Sequence, residues 1–196
     1  MNEKTKNVAF LGLMLAVTLI LFFVRIPIPT VSLALFLIPV FVTAQVKGIK
    51  LGIIAGLTAG MLSFIVAWAV PAELLSFAFQ NPIVSVIPRI LVGLVASATY
   101  LALKDLFKRF KKAPTVLSAS YTSALLAVIT NSALVLTALL LFYNGKNLGD
   151  PEDGVVLNFK WIMAVVVSLN TLIEIIVIPL VTAPAVYAIS KVMQSE

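Results

Sequence analysis

For 20 consecutive residues, 51–70, the chain reads LGIIAGLTAGMLSFIVAWAV without one ionisable side chain. At a rise of about 1.5 Å per residue, a helix of that length matches the ~30 Å hydrocarbon core of a bilayer. A helix that is apolar on every face has to be surrounded by other protein or by lipid. Five further segments share this character or nearly so: residues 7–24, 30–46, 83–103, 116–143 and 161–192. Of the 196 residues 61% are hydrophobic and only 11% charged, against about 25% charged in soluble domains. A water-soluble fold of this length cannot hide that much apolar surface. The expected fold is therefore all-α: an integral membrane bundle of six transmembrane helices, forming a single domain over residues 1–196.

Six spans put both termini on one side. Ten of the 14 Lys and Arg residues fall on that side, at 4, 6, 47, 50, 104, 108, 109, 111, 112 and 191. The opposite side keeps Arg25, Lys146 and Lys160, and acidic Asp150, Glu152 and Asp153 lie there too. The bias of positive charge makes both termini cytoplasmic. The net charge of +6 then faces anionic headgroups or a cytoplasmic partner, and nucleic acid is not expected. The first segment carries Glu3 and leaves through bulky FFVRIPIP, so it reads as a retained span and not as a cleaved signal peptide.

Polar side chains inside the spans carry the functional information. Arg89 stands six residues into the fourth span, about 9 Å deep. Burying it unpaired would cost between ~3 and ~15 kcal/mol, depending on how far it reaches toward water. Pro88 frees a backbone carbonyl one turn back, and a forked, permanently charged donor suits an arriving carboxylate or phosphate. A structural pair with Glu174 is the competing role. Glu174 lies about 20 Å into the last span, with Asn170 one turn before it on the same face. For Glu174, proton coupling, ligand contact and a helix-tying, structural polar role all remain open. Asn131 interrupts the fifth span and either joins helices or reads a ligand's amide and hydroxyls. Gln80 and Asn81, just before Pro82, are candidates for a polar rim near Arg89. Trp68, Phe77, Phe79 and Tyr143 fall near the same end, as an interfacial aromatic belt or as walls of a pocket.

Small residues form two further patterns. Gly52, Gly56 and Gly60 recur every four residues along the third span, and Ala9, Gly12 and Ala16 stand at near-helical spacing along the first. Both let another backbone approach closely, from the same chain or from a partner. The absences are equally informative. With no Cys and no His, thiolate nucleophiles, imidazole bases and the usual zinc ligands are missing, and no metal or cofactor is expected. No G-x-x-x-x-G-K-[ST] motif occurs, so the chain hydrolyses no nucleotide by a P-loop. An enzyme is not expected.

PRILVG at 88–93, NTLIE at 170–174 and AFLGLMLA at 9–16, on a chain of this length and topology, resemble substrate-capture (S) components of energy-coupling-factor (ECF) vitamin transporters. The resemblance covers essentially the whole chain. It implies a vitamin held in an outward-facing cavity and gated by the loop of Arg25, Ile26, Pro27, Ile28 and Pro29. It also implies docking of Ala9, Gly12 and Ala16 on a transmembrane coupling subunit driven by two cytosolic ATPases, in the plasma membrane of a prokaryote. Gly12 stands where the family also uses alanine. Substrate contacts are expected from Arg89, Asn131, Gln80, Asn81, Trp68, Asn170 and Tyr143. Pantothenate, a small acid with an amide and two hydroxyls, fits one fixed cation and several amides. Folate, a pyridoxine-type vitamin and hydroxymethylpyrimidine are the alternatives. A stand-alone proton-coupled carrier and an assembly protein are the competing classes.

Overall fold

A computed structural model describes residues 2–24, 33–70, 75–110, 115–148, 155–167 and 169–195 of the chain. In chain order the helices are α1 (Glu3–Phe23), α2 (Leu37–Lys47), α3 (Ile49–Ala69), α4 (Ser76–Phe79), α5 (Pro82–Ser85), α6 (Ile87–Phe110) and α7 (Thr115–Tyr143). A two-residue antiparallel ladder follows, β1 (Asn147–Leu148) with β2 (Val155–Val156), in the polar stretch between the fifth and sixth apolar segments. Helices α8 (Phe159–Val167) and α9 (Leu169–Ser195) complete the chain.

Five helical stretches among the described residues are long and apolar enough to cross a bilayer: α1, α3, Pro82–Arg109, α7 and Thr171–Met193. Their outward faces carry large apolar side chains such as Val8, Ile20, Ile65, Leu141, Leu172 and Leu180. Water would not tolerate a patch of that extent, whereas acyl chains solvate it.

The second segment differs from the expectation. Hydropathy predicts a helix over 30–46, but among the described residues the helix begins only at Leu37 and has 11 residues. Residues 33–36 form turns instead, with the amides of Leu35 and Leu37 donating to the carbonyls of Leu33 and Ala34 at 2.8 and 2.9 Å. An apolar run reads alike whether it is helical or lines a cavity, so periodicity could not separate the two. Helix α2 is the hub of the bundle. Eight of its 11 residues are buried, and Leu37, Val40, Phe41 and Ala44 pack against α3, α6, α7 and α9. A short helix that is apolar all round is stable only when enclosed in this way. Away from the cavity, Gln45 exchanges hydrogen bonds with Ser120, and Ser123 bonds Thr99 and the Ala96 carbonyl, so α2, α6 and α7 share a satisfied buried network.

The glycine stripe of α3 faces α6 within the chain. A methyl group on Gly56 would collide with the carbonyl oxygen of Arg89, and one on Gly93 with that of Gly52. These helices cross in backbone contact, and the crossing sets the height of Arg89. Gly56→Ala is therefore expected to overpack the crossing by ~1–3 kcal/mol. Thermal unfolding in detergent would show it as a lower Tm, by ~2–4 °C for each kcal/mol. The corresponding pattern on α1 is different. Ala9, Gly12 and Ala16 are exposed, no described residue lies within 4 Å of a Cβ built on Gly12, and Thr18 is the one buried residue of α1.

Candidate substrate cavity

A partly open cavity of about 110 Å³ lies at the end of the bundle where α1 and α3 finish and α6 begins. Most of its wall is apolar, and Arg89, Asn131, Ser132, Thr171 and Glu174 supply polar groups from α6, α7 and α9.

Arg89 is placed by a local interruption of the helix. Asn81 caps α5, its side-chain oxygen accepting from the Ile83 amide at 3.0 Å, and Pro82 opens the turn. Pro88 has no N–H to offer the carbonyl of Val84, four residues earlier. Arg89 takes that carbonyl: its Nη1 donates to Val84 O at 3.0 Å. The guanidinium therefore turns into the bundle and is only 4% exposed, where the sequence had placed it within reach of the surface. Its carbon stands 5.0 Å from the ring centroid of Phe79 and 5.9 Å from that of Phe36. Such ring faces stabilise a cation without consuming its donors. Among the described residues, Arg89 Nε has no hydrogen-bond partner.

Asn131, on α7, is 6% exposed, and its Oδ1 likewise has no partner among the described residues. Next to it Ser132 accepts a 3.2 Å hydrogen bond from Thr171 of α9. One turn on, Glu174 Oε1 accepts from the backbone amide of Ala34 at 2.7 Å. Arg89 and Glu174 line the same cavity, yet each directs its hydrogen bond to the backbone and not to the other. A buried donor and a buried acceptor without partners each cost free energy, which an adjustment that brings them against a complementary ligand group would return.

Of the residues singled out in the sequence, the cavity brings together Phe79, Arg89, Asn131 and Glu174. Four others stand outside its wall for local reasons. Gln80 Nε2 donates to the Ala67 carbonyl at 3.1 Å, tying the connection to the end of α3. Asn81 is the α5 cap. Trp68 points outward at 60% exposure, as an interfacial aromatic would. Tyr143 packs edge-on against Phe77, with centroids 5.2 Å apart. Asn170 lies in α9, its side chain outside the described part, and Arg25, Ile26, Pro27, Ile28 and Pro29 lie outside the described residues altogether. Sequence reasoning passed over Phe22, Phe36, Ser63 and Thr171, which also line the cavity. Ser63 continues the Gly56 and Gly60 stripe at helical spacing, and Thr171 precedes Glu174 by three, so periodicity pointed to both. The two phenylalanines lie in apolar runs and gave no signal.

Residues 6–186 match the family described as "ECF transporter, substrate-specific component". The chain belongs to this family. It is thus a component of a transporter and not an enzyme, with several apolar helices suited to a multi-pass membrane protein. Among relatives, it is 27% identical to the pantothenic acid transporter PanT of Lactococcus lactis subsp. cremoris, over 97% of this chain and 96% of that one. It is 28% identical to the pantothenate transporter PanT of Leuconostoc mesenteroides subsp. mesenteroides, over 89% of this chain and 87% of that one. In fold it is similar to ThiT from Listeria monocytogenes, with a TM-score of 0.60 over 95% of this chain and 99% of that one, at 17% identity.

Proposed function

We propose that this S component captures pantothenate and delivers it through an ECF complex. The observation that carries the reading is a guanidinium and an amide on one cavity wall, each with a buried hydrogen-bonding atom, Nε and Oδ1, that has no partner among the described residues. A carboxylate on Arg89 and a hydroxyl or N–H on Asn131 would satisfy both, and an apolar wall suits the rest of a small acid. The names of two full-length relatives support this choice of vitamin. Ser132 and Thr171 offer further hydroxyls on the same wall, and Asn170 extends that polar stripe in sequence.

We extend the reading to the remaining parts by analogy with the family. Residues 1–196 act as one substrate-binding domain in the plasma membrane, with cytoplasmic termini. Arg25, Ile26, Pro27, Ile28 and Pro29 form the gate. The exposed face of Ala9, Gly12 and Ala16 on α1 docks on a transmembrane coupling subunit, and two cytosolic ATPases drive release. Open space around Gly12 supports that use of α1.

Thermal unfolding of the purified chain against a panel of vitamins tests the ligand. Pantothenate at 100 times its Kd is expected to add about 2.7 kcal/mol of stability, a clear rise in Tm. A rise with folate, a pyridoxine-type vitamin or hydroxymethylpyrimidine alone replaces pantothenate as the cargo. Uptake into liposomes by this chain with a pH gradient and no ATPase would instead mark a stand-alone carrier.

A further inference from the structure

We infer that Glu174 is a positioning residue that holds the wall formed by residues 33–36 closed over the cavity, and so sets how long a bound ligand stays. The inference rests on the cavity being the ligand site. Leu33, Ala34 and Phe36 all line that cavity, and this stretch is turn and not helix. Turns make few internal hydrogen bonds, so the wall depends on what grips it from outside.

Two grips are visible. Glu174 Oε1, from α9, takes the Ala34 amide at 2.7 Å across 140 residues of sequence. The Phe36 ring stacks on Phe22 of α1, with centroids 4.0 Å apart and planes 18° from parallel. The stack is apolar and yields readily to sliding. The carboxylate–amide bond is short, directional and charge-assisted, and Glu174 itself is only 4% exposed. Arg89 lies near enough to act on Glu174 through its charge, yet the two share no hydrogen bond. Each is bonded to backbone instead.

The absence of native cysteine gives a clean readout. Ala34→Cys keeps the backbone amide and places a thiol on the wall, and its rate of reaction with a water-soluble maleimide reports opening. Three full-length forms are compared in detergent: the Ala34→Cys parent, the parent with Glu174→Gln and the parent with Glu174→Ala. The Gln oxygen can still accept from Ala34, so Glu174→Gln should label within ~3-fold of the parent, because only the charge assistance is lost. Glu174→Ala should label at least ~10-fold faster, corresponding to ~1.4 kcal/mol of opening free energy. Where Glu174→Ala is not monodisperse, Glu174→Met removes the acceptor with less loss of volume. Dissociation of radiolabelled pantothenate from the same three backgrounds should follow the same order.

Equal labelling in all three forms overturns the inference. So does equal acceleration by Gln and Ala, which would make the carboxylate's charge the operative property. Faster labelling with unchanged pantothenate dissociation overturns the retention role. If pantothenate fails to bind the parent, the vitamin reading falls while the labelling rates still decide the wall.

Discussion

Arg89→Ala is expected to weaken pantothenate binding at least ~100-fold, while Arg89→Lys retains the fold and still loses roughly tenfold or more. The guanidinium has one nitrogen committed to Val84 O and a second, Nε, without a partner among the described residues. It can therefore hold its own position and a ligand carboxylate at once. A lysine ammonium is a single point on a flexible stem and cannot do both. Charge-assisted hydrogen bonds contribute ~1.5–3 kcal/mol each, so losing a two-point contact readily exceeds the ~2.8 kcal/mol that separates a hundredfold change. Calorimetry on the purified variants measures it. A pantothenate analogue with a neutral amide in place of the carboxylate supplies the control. It should bind native protein weakly and Arg89→Ala about equally, because the coupling is between that charge and that side chain. If Arg89→Lys binds normally and Arg89→Ala does not fold, the residue serves the bundle and the cargo is not read by charge.

The legibility of this site followed contrast. Arg89, Asn131 and Glu174 were visible because each interrupts a lipid-soluble run, and such interruptions are costly unless used. Gln80 and Asn81 are equally polar, but they sit beside Pro82 where the backbone itself needs partners. Asn before Pro is the start signal of a helix, and that reading was available in the sequence. The aromatic bracket around Arg89 was half legible: Phe79 falls near this end of the bundle by sequence, whereas Phe36 lies among other apolar residues and only the fold brings it to the guanidinium. The bundle showed the same pattern. Long segments such as α3 and α7 were readable from length and hydropathy, whereas the shortening of α2 depended on the adjoining residues 33–36 lining a cavity.

Small-residue spacing alone did not distinguish the two faces that carry it; the structure does. On α3 the glycines face α6 and the turn before it, whereas a Cβ on Gly12 of α1 would meet nothing among the described residues. Gly12→Trp is therefore expected to leave both Tm and pantothenate affinity unchanged, because the indole projects into space outside the bundle. ATP-driven uptake by the assembled complex should nevertheless fall by ~100-fold. Forcing an indole into a close backbone contact costs about 3 kcal/mol at the upper end of overpacking, and that converts to a factor of this size in docking. Ala9→Trp, three residues earlier on the same exposed face, should act alike. Reconstitution with the coupling subunit and ATPases, followed by vesicle uptake and co-purification, separates the outcomes. Lost uptake with retained co-purification would move the defect from docking to release. A fall in Tm or affinity would mean that α1 packs inside the chain after all, and unchanged uptake would send the search for the docking face to the outward sides of α3 or α9.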